Sequence, residues 1–322
     1  MTSNLPKVAS SSPRRVSRMR KRLLLALLAT SACARQRQRV LITSPPAYAE
    51  RLAAKLARLD DVDVRRGATI VTSHFEGADL AALGAALRGP VDIVAFTSRR
   101  GVEAALAAAP ERVRALPCYA LGADREALDA AGVADVVSPE DPSPKGLVAA
   151  LAARVPPGAR AATVVCAPVP RVVPPLVEPP VVPEFCEALA AAGFRVARVD
   201  AYETRATDDG VAADAIRAGT VDVVAVTSTA EIDALAAACD LDAFAGVDVV
   251  AHGPVTALGI RRAGLGVAET NLDSSSFDGL VDAVARVCRR RDRRARVAAL
   301  AARAWFVQWL LGQVAAGATP DG

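Results

Sequence analysis

Two hydroxyl pairs, Thr97-Ser98 and Thr227-Ser228, each close a short apolar run and open an Ala-rich stretch. At such a junction a hydroxyl can accept from the first free N–H groups of a helix, or donate to an anion held at that helix start. Each pair reads equally well as a cap and as a ligand contact, and the two uses are compatible. Nothing around them suggests bond-making by a side chain. The sequence shows no Ser-His-Asp arrangement, no paired carboxylates and no metal-ligand spacing, and it carries only 2 histidines. The six cysteines (Cys33, Cys118, Cys166, Cys186, Cys239 and Cys288) are scattered, without a Cys-x-x-Cys pair, and read as reduced residues of a core.

The elements that position the pairs follow from the hydropathy rhythm, in which a short apolar run, a polar turn and an Ala/Leu-rich stretch recur along the chain. That is the pattern of βα units and a parallel sheet. In the first unit, Val40-Leu41-Ile42-Thr43 precedes Pro45-Pro46 and a helical stretch with Leu52, Leu56 and Leu59 on one face. The segment Val91-Asp92-Ile93-Val94-Ala95-Phe96-Thr97-Ser98 returns as Val221-Asp222-Val223-Val224-Ala225-Val226-Thr227-Ser228. About thirty residues after each copy comes a second strand and turn, Tyr119-Ala120-Leu121-Gly122 and Val250-Ala251-His252-Gly253. A duplication this extended predicts two lobes of like construction. The length of 322 residues suits two domains, and an aromatic share of 4% suits Ala/Val/Leu cores between parallel strands and helices. The predicted class is α/β, with both Thr-Ser pairs at the carboxyl ends of strands, where open parallel sheets take ligands.

The two ends differ from this middle. No Asp or Glu precedes Glu50, while Ser and Arg abound, the composition of an organelle transit peptide. A plastid address is the leading expectation. A secretory signal, with the apolar run at 23–29 after Arg20-Lys21-Arg22, is the competing one, and it would place the chain outside the cell or in a periplasm. At the other end, Arg289, Arg290, Arg291, Arg293, Arg294 and Arg296 precede a helical stretch carrying Trp305 and Trp309. This reads as a solvated basic linker with a docked terminal helix, or as a peripheral contact with an anionic membrane. With the basic residues gathered at the ends, the net charge of +4 calls for no nucleic-acid partner.

The ordered set Phe96-Thr97-Ser98, Ala201-Tyr202-Glu203-Thr204, Thr227-Ser228 and Gly253-Pro254-Val255-Thr256-Ala257 resembles the uroporphyrinogen-III synthase family, over residues 40–287. The resemblance implies two Rossmann-like or flavodoxin-like lobes joined by a two-strand linker, with a cleft between them. The chain would start one lobe (40–69), build the other (70–198), and return to complete the first (199–288), leaving 1–39 as a targeting segment and 289–322 as a basic linker and C-terminal helix. It also implies a monomer, with no cofactor or metal, acting on hydroxymethylbilane. This linear tetrapyrrole with eight carboxylates loses water and closes to uroporphyrinogen III through a spiro intermediate that inverts the last ring. The enzyme's task is then mainly positioning. Tyr202 becomes the candidate donor to the departing hydroxyl. Thr97, Ser98, Thr227, Ser228, Gly253, Pro254 and Thr256 become candidate holders of the carboxylates.

The sequence departs from the family pattern at several points. Thr43 is followed by Ser44 rather than by an arginine, so a cation expected near the cleft is missing. The turn Gly122-Ala123-Asp124-Arg125 replaces a hydroxyl by charges, and Asp124 would repel a polycarboxylate if it faced the cleft. A proline-dense segment from Pro168 to Pro183 reads as an extended, stiff loop. Arg171 within it is a candidate replacement for the lost cation, or simply solvated. His252 is a candidate donor, or a hydrogen-bonded structural residue. A non-catalytic member that binds a tetrapyrrole or another polyanion, and a two-lobed sensor of the periplasmic-binding type, remain open alternatives.

Overall fold

The computed structural model describes residues 37–207, 209–272 and 276–315. The expected targeting segment lies outside them apart from residues 37–39, and so does Cys33. Gln38 and Arg39 belong to the first strand, so the fold begins ahead of the expected boundary at residue 39.

Among the described residues, eleven strands form two sheets. The first has five parallel strands, β1 (Gln38–Ile42), β2 (Val62–Arg66), β9 (Val223–Val226), β10 (Asp248–His252) and β11 (Val267–Asn271), in the order β11-β10-β9-β1-β2. The second comprises β3 (Ile70–His74), β4 (Ile93–Phe96), β5 (Cys118–Ala120), β6 (Val136–Val137), β7 (Val164–Val172) and β8 (Arg195–Ala206), in the order β3-β8-β7-β4-β5-β6. All its pairs are parallel except β3 with β8. That antiparallel pair carries the chain between the lobes: β3 enters the second sheet directly from the first, and β8 returns, with Thr72 opposite Thr204 and His74 opposite Tyr202. The return strand stays in the second sheet as far as Ala206, beyond residue 199, where the return to the first lobe is expected to begin.

The helices cover both faces of each sheet. On the first lobe these are α1 (Pro46–Leu56), α9 (Val211–Arg217), α10 (Thr229–Ala238), α11 (Pro254–Arg262) and α12 (Asp278–Ala315). On the second they are α2 (Gly77–Arg88), α3 (Arg99–Ala108), α4 (Pro110–Ala115), α5 (Gly122–Ala130), α6 (Pro144–Arg154), α7 (Pro157–Arg160) and α8 (Val181–Ala191). Alternation along the strands feeds both layers. Val40, Ile42, Val223 and Ala225 pack with Leu52 and Leu56 of α1 and Leu280 and Val284 of α12. Their neighbours Leu41, Val224 and Val226 pack with Ile216, Ile232, Leu235 and Ile260 on the other face. In the second lobe, Val94 and Phe96 meet Leu83, Leu87 and Val102, while Ile93 and Ala95 meet Leu147, Leu151 and Leu189. Strands buried on both faces must be apolar throughout, which is why they read as unbroken runs.

The aspartate of the duplicated Val-Asp motif does the same work twice. Asp92 accepts from the Val164 N–H at 2.8 Å and donates its own N–H to the Val164 carbonyl at 3.0 Å. Asp222 accepts from the Arg39 N–H at 2.9 Å and donates to the Arg39 carbonyl at 2.9 Å, with the Arg39 guanidinium added on both oxygens. Each aspartate clips a central strand to its neighbour where the ladder begins.

Two expectations are corrected. The proline-dense segment is not one loop: Pro168 and Pro170 lie in β7, and Pro183 in the first turn of α8. Prolines fit β7 because its pairing with β4 stops at Cys166, so the later residues keep one neighbour only. The basic run after residue 288 is not a linker. It continues α12, a single helix of 38 residues, since arginine is a good helix former and no breaker intervenes.

Candidate functional site

The carboxyl ends of β1, β4 and β9 and the linker pair β3-β8 enclose a cavity of about 270 Å³ between the lobes. Its wall on the second lobe holds Ser98, Arg99, Arg100 and Tyr202, and its wall on the first holds Pro45, Tyr48, Thr227, Ser228 and Glu231. The two walls are built by the two copies of the duplicated strand, and they differ chemically.

On the second lobe, Ser98 is the N-cap of α3 and accepts from the Gly101 N–H at 3.1 Å. Tyr202, 8% exposed, donates its phenol to the same Ser98 oxygen at 3.2 Å. Burial pushes the phenol above its ordinary range, partly offset by the bond to Ser98, which keeps it a proton donor at neutral pH. Arg99 and Arg100 occupy the first turn of α3, against the helix dipole. Glu103 holds both, at 3.4 Å from Arg99 and 3.2 Å from Arg100, and Arg100 lies 2.8 Å from His74 Nε2. These cations stand in the cleft where none is expected from the Thr43-Ser44 strand end.

On the first lobe the corresponding helix turn carries Glu231 where α3 has Gly101. Its carboxyl is fully buried. It accepts from the Thr43 hydroxyl at 2.6 Å, the Thr227 N–H at 2.9 Å, the Thr227 hydroxyl at 2.5 Å and the Ser228 hydroxyl at 3.1 Å. Ser44, also buried, lies 3.1 Å from the Thr227 hydroxyl. Burial raises the Glu231 carboxyl above its usual range, and the converging donors pull it back. The hydroxyls of Thr227 and Ser228 are thus engaged from within the protein.

The remaining candidates do not line the cavity. Thr97 is half-buried behind Ser98 and does not line the cavity. In the Gly-Pro turn, Gly253 has φ +88°, open to glycine but costly for other residues, and donates to Asn271 at 3.3 Å. Pro254 starts α11, and Thr256 spends its hydroxyl on the His252 carbonyl at 2.9 Å. His252 Nδ1 is 3.2 Å from the Asn271 side-chain oxygen, with the ring 5.5 Å from Phe277. These four residues build the turn and are not among the cavity-lining ones. Arg171 is not brought to the cleft either. Pro170 and Val172 line it, so the residue between them faces the other way, pairing with Asp79 at 2.9 Å and Glu203 at 3.0 Å. Asp124 does not line the cavity but is buried at the start of α5. Burial pushes its carboxyl up to about 6, with Arg99 lowering it and Glu103 raising it.

A second, mostly apolar cavity of about 530 Å³ adjoins the first, lined by Phe185, Val255 and Leu258 among others, and the two share Thr229. A Cβ on Gly259 would sit 2.6 Å from the Thr229 methyl, so glycine lets α10 and α11 approach here. Among the described residues, no group of three or more His, Cys, Asp or Glu side chains could hold a metal ion.

Glu231, Arg99, Arg100 and Tyr48 are missing from the sequence-based set. Ser228-x-x-Glu231 has capping-box spacing, and two arginines opening a helix run against its dipole. Either signal would have drawn attention to them.

Two Rossmann-like lobes with a strand-linked cleft that presents hydrogen-bond donors, acceptors and two arginines define a two-domain α/β protein with a polar interlobe site. The comparisons with known proteins agree. The family model described as uroporphyrinogen-III synthase HemD matches residues 50–281. A mutant uroporphyrinogen III synthase from the extremely thermophilic bacterium Thermus thermophilus is 19% identical, with 79% of this chain and 99% of that chain covered and a TM-score of 0.55. The uroporphyrinogen-III synthetase from Helicobacter pylori is 12% identical over 78% of this chain and 99% of that chain, with a TM-score of 0.49. A search of curated proteins returns no match. The chain belongs to the uroporphyrinogen-III synthase family, cyclising lyases of tetrapyrrole biosynthesis.

Replacing Glu231 by Ala leaves the Thr227 N–H without its side-chain partner and the Thr43 hydroxyl with only the longer bond to the Ala225 carbonyl at 3.3 Å. It is expected to cost about 1–3 kcal/mol in urea unfolding, with Glu231→Gln costing less. Asp124 has a raised folded pKa, so its stabilising contribution is complete below about 4, its unfolded value, and is lost as pH rises through about 6. Asp124→Asn is therefore expected to raise the melting temperature at pH 7.5 relative to wild type, with a smaller effect near pH 4. An equal effect at both pH values would contradict the raised pKa.

Proposed function

We propose that this chain closes hydroxymethylbilane to uroporphyrinogen III, as a monomer whose cleft is complete within one chain. The observation that carries the reading is the meeting, in one interlobe cavity, of a buried phenol with two arginines at a helix start. The substrate brings carboxylates and a hydroxymethyl group. Arg99 and Arg100 pair with carboxylates, and the N-terminus of α3 adds its positive dipole end. Tyr202 gives its proton to the departing hydroxyl as the C–O bond breaks, releasing water and leaving a cationic pyrrole methylene. The bridge-bearing carbon of the last ring attacks that methylene to form the spiro intermediate. The old bridge bond then breaks, leaving a methylene cation on the third ring. The unsubstituted α-carbon of the last ring closes on this cation and loses its proton to the Tyr202 phenolate, which inverts the ring and restores the phenol. The walls hold the flexible chain in the geometry that favours this closure over the spontaneous one.

The composition of residues 1–39 supports a plastid address, and a fluorescent reporter fused behind them is expected to collect in plastids, whereas secretion would refute it. Supplied with freshly generated hydroxymethylbilane, the purified chain is expected to give uroporphyrin of isomer III after oxidation of the product. Isomer I alone from folded protein would refute the activity. Tyr202→Phe is expected to lower kcat about 10²-fold or more with KM little changed. Equal turnover would remove Tyr202 from proton transfer.

A further inference from the structure

The end of α12 is at odds with the rest of the molecule. Its first turns are core: Leu280, Ala283, Val284, Val287 and Cys288 are buried against the first sheet. Arg290 then pairs with Glu269 at 2.6 Å, Arg291 with Asp248 at 2.9 Å, and Asp292 accepts from the Gln38 side-chain amide at 2.9 Å. Past these contacts the helix leaves the sheet edge. From Arg293 to Trp309 every residue except Arg303 is exposed. The docked terminal helix is therefore not what the structure shows. The residues left uncovered include Val297 at 60%, Leu300 at 63%, Trp305 at 67%, Trp309 at 47% and Leu311 at 57% exposure.

Three features decide what covers them. At 100° per residue, Trp305, Phe306, Val307, Trp309 and Leu311 point all round the helix rather than along one stripe. A partner helix would need a seam, whereas a hydrocarbon surround needs none. The stretch from Val297 to Leu311, apolar but for Arg303 and Gln308, measures roughly 21 Å at 1.5 Å per residue. That is enough for one leaflet and its interface but short of the about 30 Å of a full hydrocarbon core. No described helix is long and apolar enough to cross a membrane. Directly before this stretch stand Arg289, Arg293, Arg294 and Arg296, whose guanidiniums fit lipid phosphates, and Trp305 and Trp309 follow roughly 14 and 20 Å beyond Arg296 along the helix.

We propose that the projecting half of α12 is a monotopic membrane anchor that seats in one leaflet of an anionic bilayer, with its arginines on the phosphates and its tryptophans in the acyl region beneath them. The surface of the first lobe that carries α12 then faces the membrane. This goes beyond the synthase reading and does not depend on it.

Trp305 and Trp309 are the 2 tryptophans of the whole sequence, so intrinsic emission reports on this helix alone. The test mixes the full chain with vesicles of phosphatidylcholine alone, or of phosphatidylcholine with phosphatidylglycerol as the anionic lipid. The expected result is a shift of emission to shorter wavelength, and co-flotation with the anionic vesicles at least about tenfold stronger than with the neutral ones, weakened by salt at about 1 M. The double variant Trp305→Ala/Trp309→Ala is expected to lose co-flotation with its far-UV circular dichroism unchanged. Absence of wild-type chain from the anionic vesicle fraction at low salt overturns the proposal. So does co-flotation of the double variant equal to wild type, which would place the contact elsewhere, for instance in residues 1–36. A vesicle-independent short-wavelength emission with doubled mass in light scattering also overturns it, by assigning the apolar tip to a second copy of the chain.

Discussion

The cleft depends on one buried carboxyl. Glu231 sits beneath the carboxyl ends of two parallel strands, where hydroxyls and an N–H converge on it, and so fixes the positions of Thr43, Thr227 and Ser228 together. An uncompensated carboxyl at that depth would be expelled or neutralised; four donors make it tolerable. Whenever it is ionised, the hydroxyls of Thr227 and Ser228 point their protons inward and offer lone pairs to the cleft. The first-lobe wall then presents acceptors, suited to pyrrole N–H groups, while the second-lobe wall presents Arg99, Arg100 and a phenol, suited to carboxylates and a departing hydroxyl. In the second lobe Gly101 stands at the same offset, and its small size leaves Ser98 free to cap α3 and receive Tyr202. One duplicated strand end has thus been turned to two opposite polarities.

Much of the architecture is written in the sequence because parallel strands buried on both faces leave a signal that is hard to disguise. The runs around Val40, Val94 and Val224 announce strands, and the repeated Val-Asp announces two lobes, since Asp92 and Asp222 each clip a strand. The Thr-Ser pairs do fall at strand ends facing the cleft. Direction is harder to read: nothing in the sequence around Arg171 tells which face of β7 it occupies, and a single step along a strand sends it to Asp79 and Glu203 instead of the cavity. Glu231, in an Ala-rich helix, resembles any solvated surface acid until the neighbouring strand ends are placed. The Gly-Pro turn is recognisable as a turn, but its hydroxyl is spent on the His252 and Thr227 carbonyls and its amide on Asn271.

Local chemistry also misleads at breakers and charges. Pro168 and Pro170 suggest a loop because proline cannot donate to a ladder, yet an edge without a neighbour asks for no donor. Six arginines in eight residues suggest a solvated linker, yet each is a good helix former, and Arg290 and Arg291 have acidic partners on the sheet edge to settle against. In both cases the missing information is the neighbour, which only the tertiary arrangement supplies.

The segment between β7 and α8 reaches from one lobe to the other. Leu176, 6% exposed, packs with Ile70, Ala230 and Ala234, and the Val177 N–H donates to Asp233 of α10 at 3.3 Å. Parting the lobes along this seam returns a leucine to water, about 1.5–3 kcal/mol of apolar exposure. By itself that weights the shut arrangement over the open one by about ten- to a hundredfold. The shut arrangement of the cleft is thus held in part by a residue that does not line it.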